Sequence, residues 1–291
     1  MTVAGKTALV TGAARGIGEA VARELASRGA RVSLVGLEPD RLEAVASELG
    51  PDVAWFEADI TDPDSLEVAV SGTVERFGGI DILVANAGIA SFGSVATMDP
   101  DAFVRTIEVN LIGQFRTVRA ALPAIKDRRG YILIIASLAS FAHPPGMSAY
   151  SASKAGVEAF GNALRAEVGF EGVGVGTAHP SWIDTDMVRD ADADLEQVAE
   201  MRQSGPGFLG ATTSVGECAR QLADAIERRA GRVCVPRSAV VLNWLRSVIG
   251  GPVAARVMRR RAAEAVPVME ERVATLGRSV SERTAAVDAK L

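Results

Sequence analysis

Tyr150 and Lys154 stand four residues apart in Tyr150-Ser151-Ala152-Ser153-Lys154, near the start of a long helical pattern. On a helix that spacing puts both side chains on one face, with β-carbons about 6 Å apart. An ammonium so placed favours the ionised phenolate and draws a tyrosine pKa down from about 10. Such a phenol can act as general base toward an alcohol or general acid toward a carbonyl. Taken alone the pair is equally a surface helix pair; its weight comes from its company. Ser137 follows the apolar run 131–136, where its hydroxyl can hydrogen-bond a substrate oxygen. A simple loop serine is the plain alternative, and Ser140 a lesser substitute. Asn110 interrupts an otherwise apolar helix face. It either holds a water, by side chain or by locally disrupted backbone, or is a satisfied core amide.

A second chemistry is written near the N-terminus, in Thr11-Gly12-Ala13-Ala14-Arg15-Gly16-Ile17-Gly18. Glycines at Gly12, Gly16 and Gly18 allow a tight turn and let backbone amides approach a pyrophosphate, which a helix N-terminus stabilises. The trio lies between a first strand pattern and a first helix pattern, the context such a loop requires. Its spacing is Gly-x-x-x-Gly-x-Gly rather than Gly-x-Gly-x-x-Gly.

The elements that must position these groups alternate along the chain. Short aliphatic runs at 7–10, 31–35, 53–57, 80–85, 131–136, 173–178 and 232–235 lack the alternation of half-exposed strands, so a sheet covered on both faces is expected. Helical patterns at 16–28, 41–49, 64–77, 101–127, 148–170 and 215–229 separate them. Pro63 after Thr61-Asp62, and Pro100 after Asp99, mark helix starts. This alternation predicts an α/β fold: a Rossmann-type, doubly wound parallel sheet of about seven strands, with ligands at the strands' carboxyl ends. Residues 1–236 are expected to form that domain. Residues 237–291 are a helical C-terminal extension packed on it or on a partner. Residues 184–213 break the rhythm and read as a mobile insertion.

Composition excludes several classes. The 291 residues carry a formal charge of −5, so no positive field gathers nucleic acid. Two cysteines, Cys218 and Cys234, and two histidines, His143 and His179, are too scattered for a metal site or disulfide framework. The N-terminus enters a strand pattern at once, without a signal-peptide pattern, and no apolar run is long enough for a spanning helix. A cytoplasmic protein is expected.

The ordered series Thr11–Gly18, Asp59, Asn86-Ala87-Gly88, Asn110, Ser137, Tyr150 through Lys154, and Pro180 through Thr185 resembles the short-chain dehydrogenase/reductase family. The resemblance covers residues 6 to about 236. It implies a catalytic tetrad of Asn110, Ser137, Tyr150 and Lys154. Tyr150 would exchange the proton, Ser137 orient the substrate oxygen, Lys154 also hold the nicotinamide ribose, and Asn110 position a water in the proton relay. The cofactor, NAD or NADP, would be held by Gly12, Arg15, Gly16, Ile17 and Gly18; by Leu37 and Glu38; by Asp59 and Ile60 at the adenine; by Asn86, Ala87 and Gly88; by Tyr150 and Lys154; and by Pro180, Ile183 and Thr185, the last bonding the carboxamide.

Three departures shape the finer expectations. His179-Pro180-Ser181 stands where Pro-Gly is usual, and His179 is either a substrate contact or, the favoured reading, a packed or solvated histidine. Gly36 and Leu37 occupy positions that often carry the acid of NAD enzymes and the arginine of NADP enzymes. Arg15 favours a phosphate, but Glu38 would repel a 2′-phosphate, and the balance leans to NAD. The long tail, with Trp244, Leu245, Val248 and Ile249 beside Arg256, Arg259, Arg260 and Arg261, can serve as a lid, a subunit interface or a peripheral membrane contact. The expected substrate is a small apolar alcohol or ketone. Its walls would be Phe141, His143, Pro144, Pro145 and Met147 on one side, and Met187, Val188, Met201, Phe208 and Leu209 on the other. A homodimer or homotetramer through helices 101–127 and 148–170 is implied by resemblance alone. The competing functions are a non-catalytic dinucleotide-binding regulator and an epimerase or dehydratase on the same fold.

Overall fold

The structure, a computed structural model, describes residues 1–203, 210–246 and 251–289, with the side chains of residues 197, 198, 201, 252–254 and 257 left aside. Gly205-Pro206-Gly207, Phe208, Leu209, Val248 and Ile249, and the side chain of Met201, lie outside the described residues.

Seven strands form one parallel sheet: β1 (Thr7–Thr11), β2 (Arg31–Gly36), β3 (Val53–Glu57), β4 (Ile82–Ala85), β5 (Tyr131–Ile135), β6 (Gly174–Pro180) and, further on, Arg232–Val235. Between β6 and that strand a short ladder pairs β7 (Ile183–Asp184) with β8 (Thr213–Ser214), so the last strand is β9. The sheet order is β3-β2-β1-β4-β5-β6-β9. The expected seven-stranded doubly wound sheet is thus observed.

Helices cover both faces because the strands are apolar on both. Under one face lie α1 (Gly16–Ser27), α2 (Pro39–Leu49) and, later, α9 (Val215–Glu227), packing Val21, Leu25, Leu42, Leu222 and Ile226 against Val10, Leu34 and Leu133. Under the other lie α3 (Pro63–Phe77), α4 (Pro100–Ile107), α5 (Gln114–Asp127) and α6 (Ser148–Val168), with Ala69, Val118, Ile125, Val157 and Leu164 against Leu83, Ile132 and Ile134. Asp62 and Asp99 cap α3 and α4 by accepting from the Asp64 and Asp101 amides, each ahead of a first-position proline.

Two expectations are corrected. The helix expected over 101–127 is broken: α4 passes into α5 through a π turn, Glu108–Gly113. Asn110 bonds the backbone of Ile89 there, and a Cβ on Gly113 would stand 2.7 Å from Ile60, so both residues hold the turn close to neighbouring loops. Of residues 184–213, read as a mobile insertion, those described carry regular structure: the β7–β8 ladder, α7 (Asp186–Asp194) and α8 (Glu196–Gln203). Their order comes from contacts distant in sequence: Leu195 is buried with Phe92, Met269 and Val273, and Asp194 takes Arg278 at 2.6 Å.

The tail is helical, as expected: α10 (Val240–Trp244), α11 (Pro252–Leu276) and α12 (Glu282–Asp288). Met269 of α11 sits on Gly146, where any Cβ would overlap its sulfur. Ser279 accepts the Phe92 amide at 2.8 Å through its carbonyl and the Asp99 amide at 3.0 Å through its hydroxyl. Arg246 reaches buried Glu158 on α6 at 2.8 Å, beside Arg232 at 2.7 Å. Among the described residues no helix is long and apolar enough to cross a membrane.

Candidate active site

The order in which successive strands are added switches sides between β1 and β4, and the crevice at their carboxyl ends is where a doubly wound sheet takes its ligand. The glycine loop leaves β1 there. Gly12 and Gly16 have φ of +65° and +60°, a region that penalises any Cβ. Gly18 has a different reason: a Cβ would run into the Gly12 carbonyl and the Asn86 amide. Asn86 fastens the loop from β4, donating to the Thr11 carbonyl at 2.9 Å and to that of Gly12 at 3.3 Å. Thr11 returns the link, its hydroxyl accepting from the Asn86 and Ala87 amides. The result is a bare backbone turn at the N-terminus of α1, a cradle for a diphosphate. For Gly18→Ala we expect about 1–3 kcal/mol of destabilisation from overpacking and loss of dinucleotide affinity. Thermal melts and titration of reduced-nicotinamide fluorescence check it; a variant that melts and binds like wild type would show that the loop yields.

The cavity at this crevice measures about 280 Å³. It is lined by Gly12, Arg15, Gly16, Ile17, Leu37, Glu38, Asp59, Ile60, Asn86, Ala87, Gly88, Tyr150, Lys154 and Thr185 among the residues singled out from sequence. Gly18 lies behind the turn and Ile183 is buried beneath it. The Pro180 carbonyl accepts from the Ser137 hydroxyl at 3.4 Å. Thr185 is packed beside Gly16, its methyl 3.5 Å from where a Cβ would stand.

Tyr150 and Lys154 lie on the first turns of α6, facing the cavity, with the Lys154 nitrogen 5.7 Å from the phenol ring centre. Lys154 is buried, donates to the Ile135 carbonyl at 2.9 Å, and burial pushes its pKa down to about 8. Burial pushes the Tyr150 phenol up, while the Ser137 hydroxyl beside it pulls the other way. The expected lowering by Lys154 is therefore corrected: loss of water raises the phenol, and the group that opposes it is the Ser137 hydroxyl. Ser137 is placed at the end of β5 by accepting the Ala139 amide at 3.1 Å.

Asn110 does not open into the cavity. Its carbonyl oxygen accepts the Ile89 amide at 2.8 Å, and its nitrogen donates to the Ile89 carbonyl and to Ser153. It is the satisfied core amide, set within a disrupted helix turn. His179 is fully buried, bonded to the Ser137 carbonyl and the Thr177 hydroxyl, with its pKa pushed down to about 4 by burial. Its packed reading holds. Phe141, expected on the substrate wall, is instead buried against His179, Leu138 and Ala239.

The charges near Arg15 also differ from a linear reading. Arg15 engages Glu38 side-on through two nitrogens and Asp186 at 3.2 Å. Asp59 spends one oxygen on the Thr61 amide. Sequence reasoning missed Ile89, Ala90, Phe92 and Arg105, and also Ser281, Arg283, Thr284, Val287 and Asp288, all of which line the cavity. Ile89 and Ala90 directly follow Asn86-Ala87-Gly88 and were within reach; nothing local marks the tail residues.

A family model described as short chain dehydrogenase matches residues 6–196. The chain belongs to the short-chain dehydrogenase/reductase family and is an NAD(P)-dependent enzyme of that class. Among its relatives, it is 40% identical over 194 residues to trans-4-hydroxycyclohexanecarboxylate dehydrogenase of Sinomonas cyclohexanicum, covering 64% of this chain and 75% of that one. It is 36% identical over 224 residues to 3-oxoacyl-(acyl-carrier-protein) reductase of Escherichia coli strain K12, covering 77% and 91%. The solved 3-ketoacyl-(acyl-carrier-protein) reductase of Brucella melitensis, complexed with NADH, superposes with a TM-score of 0.71 at 26% identity, covering 81% of this chain and 99% of that one.

Proposed function

We propose that this short-chain dehydrogenase/reductase moves a hydride between a nicotinamide cofactor and an apolar secondary alcohol or ketone, with Tyr150 as general acid and base. The observation that carries the reading is that Tyr150 and Lys154 line a glycine-loop cavity, with the Ser137 hydroxyl hydrogen-bonded to the Tyr150 oxygen behind them. When bound, the nicotinamide ring supplies the hydride acceptor or donor. Ser137 orients the substrate oxygen, and Tyr150 takes the hydroxyl proton in oxidation or gives it in reduction. Lys154 favours the phenolate and lies next to Gly88, a site for the ribose. Asn110 acts by shape: with its side chain satisfied, the π turn leaves backbone groups to hold the relay water.

An apolar substrate is supported by Ile89, Ala90, Phe92, Val109 and Met187 around the cavity. A relative that oxidises an alicyclic hydroxy acid supports a ring compound. NAD is supported by Arg15, already engaged by Glu38 and Asp186, and by the Glu38 carboxylate that would face a 2′-phosphate. The test is nicotinamide absorbance with a panel of alicyclic alcohols and each cofactor. Reduction with NAD, at a lower Michaelis constant than with NADP, is the expected result. A lower constant with NADP overturns the cofactor assignment. Turnover of a substrate without absorbance change would point to an epimerase or dehydratase.

Assembly as a dimer or tetramer through α4, α5 and α6 is supported by exposed Val104 and by Phe115, which meets Phe160 edge-on. A monomer in light scattering would remove it. Membrane contact falls to α10, where Val240, Val241, Trp244 and Leu245 are exposed. If Trp244→Ser co-sediments with anionic vesicles as wild type does, the contact is not there.

A further inference from the structure

The end of the chain returns to the glycine loop. Arg283 of α12 donates to Asp190 at 2.8 Å and to Asp186 at 3.3 Å. The same Asp186 oxygen takes Arg15 at 3.2 Å. Asp186 follows Thr185, whose methyl is packed beside Gly16. The last arginine of the chain thus stands at the N-terminus of α1, where the backbone turn is built for a diphosphate.

This placement is held from both sides. Upstream, Arg278 grips Asp194 at 2.6 Å, and Ser91 and Val280 form an antiparallel bridge. Downstream, Asp288 takes Arg105 at 3.0 Å, and Arg105 also faces Asp59 at 3.8 Å. The segment between these anchors forms part of the cavity wall through Ser281, Thr284 and Val287.

The charge pattern gives the wall a chemistry. A guanidinium has five N–H donors, and Arg283 uses three on Asp186 and Asp190. Its remaining donors are pre-oriented by the same two carboxylates. Arg15, the other cation at the loop, is committed side-on to Glu38. Arg15 likewise spends three donors, on Glu38 and Asp186, so an arriving diphosphate meets two guanidiniums with donors to spare, and one of them comes from the tail.

We propose that Arg283 is a cofactor-binding residue that supplies a charge-assisted contact to the diphosphate, and that α12 is a wall of the dinucleotide site. The proposal rests on the reading of this cavity as the dinucleotide site. The test is calorimetric titration of the full chain with ADP-ribose and, separately, with adenosine, which lacks the phosphates. Wild type binds ADP-ribose. Arg283→Gln weakens that binding about tenfold and leaves adenosine within about twofold, since a charged hydrogen bond is lost and the fold is kept. Arg283→Lys recovers part of the affinity by restoring the charge. Unchanged ADP-ribose binding in Arg283→Gln overturns the proposal while leaving the dinucleotide reading intact. Equal losses for both ligands overturn the phosphate contact and leave a packing role. Failure of wild type to bind ADP-ribose overturns the dinucleotide reading, and this inference with it.

Discussion

Tyr150→Phe lowers kcat/KM toward a secondary alcohol by about 10³-fold, within the range of a lost general acid–base group, and leaves dinucleotide affinity within about twofold. Tyr150 lines the cavity on the first turn of α6, with Ser137 beside its oxygen and Lys154 one turn further on. Phenylalanine keeps the ring and its packing and deletes the one atom that exchanges the proton. The loss should therefore fall on kcat, because the interaction removed exists chiefly in the transition state. Steady-state rates beside a binding titration separate the two quantities. Equal rates in wild type and variant would remove Tyr150 from the mechanism, and a parallel loss of cofactor binding would make its role structural.

The second large effect is expected at Lys154. In Lys154→Gln, alcohol oxidation falls about 10²-fold near neutral pH, and its pH profile moves to higher pH. Oxidation needs the phenol ionised, so its rate climbs as pH rises through the Tyr150 pKa. A cation beside a phenol favours its ionised form, so its removal is expected to move the Tyr150 titration upward. Above the Lys154 pKa of about 8 the wild-type cation itself is lost, and the two profiles should converge. Glutamine keeps a donor for the Ile135 carbonyl, limiting the structural change. A uniform rate loss with an unshifted profile would assign Lys154 to cofactor positioning alone. The profile belongs to the pair, since two interacting groups titrate together.

Much of this molecule was legible in its sequence because its information is local. Residues 8–10 and 131–136 are apolar at every position, so they must be covered on both faces; the sheet buries them fully. The glycine loop and the four-residue step from Tyr150 to Lys154 are likewise local rules, one of backbone sterics and one of helix period. The π turn at Glu108–Gly113 broke the helical expectation because Asn110 answers to Ile89, a residue on another loop.

What tertiary structure alone decided is where distant segments meet and what desolvation then does. Phe141 was apolar enough for either a wall or a core, and only packing against His179 chose the core. Residues 184–213 carried no strong periodicity, yet Leu195 finds Phe92 and Met269, and Asp194 finds Arg278. The tail could not be seen on the cofactor cavity, because Arg283 and Asp186 lie far apart in the chain and ion pairs leave no trace in local pattern. The direction of the Tyr150 shift was hidden for the same reason. Spacing reveals a neighbouring charge, but the loss of water that raises the phenol is a property of the whole packed site.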